Sequence, residues 1–257
     1  MTRPNIQELL LHAELSALAY KTLHRDVRVG VGELGFTDVD FVEYRDTQLF
    51  VAWNAKRVVV SFRGTEKNFT DWLADGDCKL VHGPRGMVHE GFWMALDNVW
   101  PQLMKMVNGI LHGDRTLSIC GHSLGGALAT LAASSYLPWE GKVNGVYTYE
   151  SPRVGNADFA TWFDSVYKGR AWRVVNELDV VTRLPPRAMG YRHVDTVCHL
   201  DSSGAMTVDP SDWTRLTEWT SSQVLGMWKN VNPFRDITAH SIDAVVKKLK
   251  LLESKMS

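Results

Sequence analysis

Cysteine is scarce in this chain: Cys78, Cys120 and Cys198 are the only three among 257 residues. An odd number without metal-ligand spacing supports neither a disulfide framework nor a zinc site. Cys120 lies in a short apolar run and reads as a buried thiol that packs like a small hydrophobe. Neither sign of charge is in excess, with 28 Lys and Arg facing 29 Asp and Glu. Nothing there would attract a phosphate backbone, so nucleic acid is not an expected partner. The apolar runs stop at a charge or a proline well short of the ~20 residues that a bilayer crossing takes, so no transmembrane segment is expected. The N-terminal stretch carries Glu8, His12 and Glu14 through its apolar stripe, which reads as an amphipathic helix rather than a signal peptide. Cytoplasmic residence is the default expectation, with a trimmed leader or another secretion route left open. Internal repeats, low-complexity tracts and Pro/Gly/Ser linkers are also lacking, and residues 1–257 read as a single domain.

What is present is an alternation of short β-like runs with longer helical ones. Gln48 to Ala55, Arg57 to Phe62, Thr116 to Cys120, Gly145 to Tyr149 and Arg170 to Val175 read as strands. Helical spacing of apolar residues runs over Ile6 to Thr22, Glu90 to Leu111, Leu124 to Tyr136, Ala157 to Tyr167, Asp212 to Trp228 and Ile237 to Glu253. Pro101 is expected to kink or divide the second of these, because its ring removes an N–H from the helix ladder. The pair joined by Asn54 to Lys56 reads as an antiparallel hairpin. From Thr116 onward the β, α, β, α, β order implies parallel strands. The fold class is therefore α/β, a mixed and mostly parallel central sheet flanked by helices.

Between a predicted strand and a predicted helix stands Gly121-His122-Ser123-Leu124-Gly125. A serine hydroxyl is a weak nucleophile until a base activates it, and a tight strand-to-helix turn aims it outward for that purpose. Gly121 and Gly125 relieve the crowding of such a turn, and Gly126 lets the helix approach the sheet. Ser123 is the candidate nucleophile. The helix N-terminus beneath it offers a free backbone N–H where negative charge would develop, and Leu124 is the first candidate oxyanion donor.

In the strand–turn–helix type of serine hydrolase the acid and then the histidine follow the serine in the chain. Asp179 lies just beyond the strand Arg173-Val174-Val175, at the sheet edge where ligand sites gather, and Glu177 two residues earlier is its rival. Among the histidines, His240 opens the last amphipathic helix, where an imidazole can reach both a carboxylate and a hydroxyl. His193 and His199 sit in a strand-like run and read as structural.

Several segments together resemble the fungal-type triacylglycerol lipase family, the class 3 lipases, whose fold is a variant of the α/β hydrolase. They are Val60-Ser61-Phe62-Arg63-Gly64-Thr65, Val88-His89-Glu90-Gly91-Phe92, the Ser123 elbow with Gly126-Ala127, and Ser151-Pro152-Arg153-Val154-Gly155-Asn156. Further on come Asn176-Glu177-Leu178-Asp179-Val180-Val181 with Leu184-Pro185-Pro186, and His240-Ser241. The resemblance implies a Ser123, Asp179, His240 triad and makes Thr65 the second oxyanion residue beside Leu124. His89 and Arg153 match motifs read as structural. Two positions depart from the pattern: Glu150 stands where relatives commonly carry a small residue, and Val245 where many have tyrosine.

Phe69, Trp72 and Leu73 recur at i, i+3 and i+4 with Asn68 as N-cap, a short amphipathic turn over residues 68–76. In lipases of the resembling family a helix here acts as a lid over lipid; the alternative is a turn packed permanently into the core. The expected activity is a serine carboxylester hydrolase working on acylglycerol esters through an acyl-enzyme, with no metal and no organic cofactor. Phospholipase A1 and feruloyl-type or short-chain esterase activity are the alternatives within that chemistry, and a catalytically silent scaffold is the alternative outside it.

Overall fold

In the computed structural model the described residues are 3–64, 78–135, 142–177, 179–209 and 240–256. Thr65, the turn at 68–76, and the predicted helix from Asp212 to Trp228 lie outside them.

The chain opens with helix α1 (Ile6–Leu18), whose first turn is capped by the Asn5 side chain accepting from Gln7 and Glu8 N–H. This helix ends four residues earlier than its apolar spacing suggests, which leaves Tyr20 on the connecting segment. Helix α2 (His24–Glu33) follows, and then three antiparallel strands, β1 (Asp38–Tyr44), β2 (Thr47–Trp53) and β3 (Arg57–Phe62). The expected hairpin is β2–β3, with Leu49 opposite Phe62. Its turn is held by Asn54 Oδ1, which accepts from the N–H groups of Lys56 and Arg57 at 2.9 Å each.

Two short strands, β4 (Leu80–Gly83) and β5 (Gly86–His89), lead into helix α3 (Glu90–Ile110). Of the two outcomes expected at Pro101, a kink or a division, the helix is not divided there. Its buried face of Phe92, Leu96, Val99, Leu103 and Val107 runs unbroken past the proline, and this burial outweighs the one missing backbone bond. Next come β6 (Thr116–His122), α4 (Leu124–Ser135), β7 (Val143–Tyr149), β8 (Gly155–Asn156), α5 (Ala157–Tyr167) and β9 (Ala171–Asn176). The short strands β10 (Tyr191–Arg192), β11 (Thr196–Leu200) and β12 (Met206–Val208) precede the last described helix, α6 (Ile242–Ser254).

Eight strands form the main sheet in the order β1-β2-β3-β6-β7-β9-β11-β12. The middle of it, from β3 through β6, β7 and β9 to β11, is parallel, and both ends are antiparallel. A smaller sheet, β10-β8-β5-β4, stands apart. Because strand side chains alternate between faces, Val58, Val60 and Phe62 enter one buried cluster with α3, α4 and α5, while Val59 enters the other with α1 and α6. The same alternation sends Ile119 to the first cluster and Cys120 to the second. All three cysteines are buried and outside any disulfide, and burial raises the Cys120 thiol pKa to about 11. Parallel strands covered on both faces leave their C-terminal edge as the place where loops can build a site.

Candidate active site

Strand β6 delivers Ser123 to that edge. Ser123 adopts φ +58°, a left-handed conformation that a non-glycine residue holds only when its surroundings enforce it. Here the enforcement is visible. Ser123 N–H donates to the Tyr149 carbonyl at 2.9 Å, and its own carbonyl accepts from Gly126 N–H at 2.9 Å. A Cβ on Gly121 would stand 2.8 Å from Gly126 N, and one on Gly126 would stand 2.8 Å from the Ser151 Cβ. Strand end, turn and helix start touch backbone to backbone, as the glycine spacing suggested. Leu124 is buried and opens α4, so its N–H belongs to the first turn, whose donors have no acceptor within the helix.

His240 lies two residues before α6. Its Nε2 is 2.9 Å from Ser123 Oγ and its Nδ1 is 2.9 Å from Asp179 Oδ2. Asp179 is buried, and its other oxygen accepts from Val181 N–H at 3.0 Å, which fixes the carboxylate toward the imidazole. Glu177, the rival acid, is instead paired with Lys248 on α6 at 2.6 Å. The two other candidate histidines are engaged elsewhere, His193 Nε2 with the Thr182 carbonyl at 2.6 Å and His199 Nε2 with the Glu177 carbonyl at 3.0 Å. Of the predicted site residues the structure therefore brings Ser123, His240, Asp179 and Leu124 together, and Thr65 lies outside the described residues.

Arg153 and His89 act as structural ties. Arg153 donates to the carbonyls of Arg183 and Pro185, holding the segment that follows Asp179. Burial, and then the charges of Arg173, Arg187, Arg192 and Arg183, lower its pKa to about 9. His89 Nδ1 accepts from Gly91 and Phe92 N–H and so caps α3. Val245 is fully buried within the α6 contact to the core.

Three polar residues at the site were not anticipated. Glu150, fully buried, places Oε2 at 2.7 Å from His122 Nε2 and 3.7 Å from His240 Nδ1. His122 Nδ1 in turn lies 2.7 Å from the Tyr20 hydroxyl. Burial, followed by repulsion from His240, holds the His122 imidazole well below its usual range. Burial, followed by the Asp179 charge, pushes the Glu150 carboxyl well above the usual carboxylate range. The sequence signal for Glu150 was its departure from the family pattern; nothing in the sequence marked Tyr20. His122, Glu150 and His240 offer metal-type ligand atoms within 4.8 Å of one another. Those groups are already engaged, Glu150 Oε2 with His122 Nε2 and His240 with Asp179 and Ser123, so a metal there would have to displace one of these contacts.

A left-handed serine between a parallel strand and a helix, with a histidine and a buried acid in line, defines the site of an α/β hydrolase. Residues 59–189 match the family model described as lipase (class 3), and the chain belongs to that family. Among curated relatives it is 40% identical over 153 residues to a secreted mono- and diacylglycerol lipase 1 of Fusarium solani, covering 57% of this chain and 44% of that one. It is 34% identical over 163 residues to a secreted mono- and diacylglycerol lipase A of Penicillium cyclopium, covering 60% and 52%. The chain thus spans about half the length of these curated relatives. Among solved structures, a mutant form of MDLA from Penicillium cyclopium superposes with a TM-score of 0.67 at 25% identity, covering 80% of this chain and 86% of that one. The lipase of Rhizopus microsporus var. chinensis gives 0.62 at 28% identity, covering 78% and 76%.

Proposed function

We propose that this protein is a serine carboxylester hydrolase of the lipase type, acting on acylglycerol esters. The observation that carries the proposal is the in-line contact of Ser123 Oγ, His240 and Asp179 at a left-handed elbow. Ser123 Oγ attacks the ester carbonyl carbon while its proton passes to His240 Nε2. Asp179 accepts the Nδ1–H throughout, which keeps the tautomer correct and stabilises the imidazolium. The oxyanion of the tetrahedral intermediate takes hydrogen bonds from the N–H of Leu124 and from Thr65. His240 returns its proton to the departing alkoxide, leaving an acyl-serine. Water, deprotonated by His240, then attacks that acyl carbon and releases the fatty acid with Ser123 restored. This chemistry calls for no metal and no organic cofactor.

The substrate class is supported by the relatives, whose names describe mono- and diacylglycerol lipases. Those names also describe secreted enzymes and lend no support to the default expectation of a cytoplasmic one. Secretion is the reading they favour. Phe69, Trp72 and Leu73 are assigned to transient contact with lipid on the strength of their helical spacing. Residues 1–257 are read as one catalytic domain. Among the described residues no helix is long and apolar enough to cross a membrane.

Hydrolysis of p-nitrophenyl esters from butyrate to palmitate, by wild type and Ser123→Ala in parallel, tests the proposal. Serine-dependent turnover supports it, with preference for mono- and diacylglycerols over phospholipid and feruloyl esters in a second assay. No turnover on any ester, or turnover that survives Ser123→Ala, overturns it.

A further inference from the structure

Glu150 carries two costs that the Ser123, His240, Asp179 contacts do not require. It follows the last residue of β7 with φ +52°, a region that a residue with a Cβ enters only under constraint. Its carboxyl is also wholly withdrawn from water, where a lone charge is strongly disfavoured. Neighbours hold both in place. Glu150 N–H donates to the Val174 carbonyl at 2.8 Å, fixing the backbone to β9. His122 fixes Oε2 at 2.7 Å, and Tyr20 backs His122 from the far side at 2.7 Å. The result is a carboxyl oxygen 3.7 Å from His240 Nδ1, the atom that Asp179 contacts at 2.9 Å.

We propose that Glu150 is a second, latent acid partner of His240: a positioning residue, kept in reach by His122 and Tyr20, whose carboxylate accepts the Nδ1–H whenever Asp179 carries no charge. The inference rests on the reading of His240 as the general base.

Two carboxyl groups on one imidazole edge cannot both ionise cheaply, since each charge raises the other's proton affinity. Asp179 is nearer to Nδ1 and accepts from the Val181 N–H, while burial and then the Asp179 charge hold the proton on Glu150. The groups that face Glu150 are His122 at the end of β6, His240, Asp179 after β9, Asn176 at the end of β9 and Lys248 on α6. Asp179 disfavours its ionisation, whereas Lys248 and Asn176 favour it. Removing the Asp179 charge therefore deletes the largest electrostatic opposition and leaves the favourable partners. Glu150 gives up its proton once the Nδ1–H of His240 offsets the remaining and larger cost of burial, which takes a side-chain rotation across the 3.7 Å gap.

The test is a double-mutant cycle on Asp179→Ala and Glu150→Gln. Loss of a triad aspartate ordinarily lowers kcat by about 10⁴-fold. With Glu150 present, the Asp179→Ala loss is expected to be only on the order of 100-fold, and adding Glu150→Gln restores the full ~10⁴-fold loss. Glu150→Gln alone should cost less than ~10-fold, because Asp179 still holds the imidazole. Glu150→Gly, which relieves the left-handed backbone, should behave as Glu150→Gln does in the Asp179→Ala background, separating the carboxyl from strain.

A second readout does not depend on turnover. The low-field proton resonance of a His Nδ1–H bonded to a carboxylate should persist in Asp179→Ala and vanish in the double variant. Full loss of activity and of the resonance in Asp179→Ala with Glu150 intact would overturn the proposal. So would additive effects of the two substitutions. If the wild type hydrolyses no ester, the functional reading fails, while the resonance pattern still decides the role of Glu150.

Discussion

Gly125→Ala is the perturbation whose outcome the elbow geometry dictates most narrowly. Gly125 lies in the first turn of α4 against the end of β3. A methyl there would stand 2.9 Å from the Phe62 carbonyl carbon, 3.0 Å from that of Arg63, and closer still to the Phe62 oxygen. All three are backbone atoms at the end of β3, where Phe62 is paired on both sides, or one residue beyond it, so no side chain can swing away. Overpacking costs about 1–3 kcal/mol, and rigid neighbours place this site at the upper end. Alanine in place of glycine in a helix returns about 0.5–1 kcal/mol. The net expectation is about 2 kcal/mol of destabilisation, read as a lower midpoint in urea unfolding. The strand end that must yield continues through Arg63 and Gly64 to Thr65, the proposed second oxyanion donor. A displacement approaching 1 Å at a catalytic group costs about 100-fold in rate, so kcat should fall by that order. A Gly125→Ala protein with unchanged kcat and raised stability would refute the close approach.

Three further substitutions probe the framework. Gly109→Ala, in α3 with nothing within 4 Å of the added Cβ, should raise stability by about 0.5 kcal/mol with activity unchanged, checked by thermal unfolding. Leu249→Ala removes a fully buried side chain from the α6 face that packs on the second cluster. It should cost about 2–5 kcal/mol in urea unfolding and lower kcat as well, because α6 begins two residues after His240. His12 is wholly buried, and burial lowers its pKa from 6.5 to about 4. The unfolded chain therefore binds this proton more readily, so stability is full above pH 6.5 and is lost as pH falls toward 4, by about 3 kcal/mol from this group. Urea unfolding at pH 7 and pH 4 should show a smaller acid loss in His12→Gln than in wild type.

Strands β2, β3, β6, β7 and β9 were legible because their apolar residues come in runs dense enough to show two buried faces. The elbow was legible because Gly121, Gly125 and Gly126 bracket Ser123 at the spacing that backbone-to-backbone contact demands. Strand β1 was not, since Asp38, Asp40 and Glu43 dilute its pattern with residues that disfavour strands. Helix α2 hides behind Gly30 and Gly32, which are poor helix formers. The smaller sheet includes β8 and β10, each two residues long, too short for any periodicity. Glu150 could be flagged as unusual but not given a partner. Its contact to His122 exists because β6 and β7 pair with His122 opposite Tyr149, a register that only the folded sheet supplies. Tyr20 reaches the same place because α1 stops at Leu18.

Covalent trapping with a p-nitrophenyl alkylphosphonate probes the reactivity of Ser123 without reliance on any one substrate. The expected result is one phosphonyl group per chain, located by peptide mass spectrometry on Ser123, absent in Ser123→Ala and strongly slowed in His240→Ala. Labelling at another residue, or labelling of Ser123→Ala at the wild-type rate, would show that the nucleophile is not Ser123.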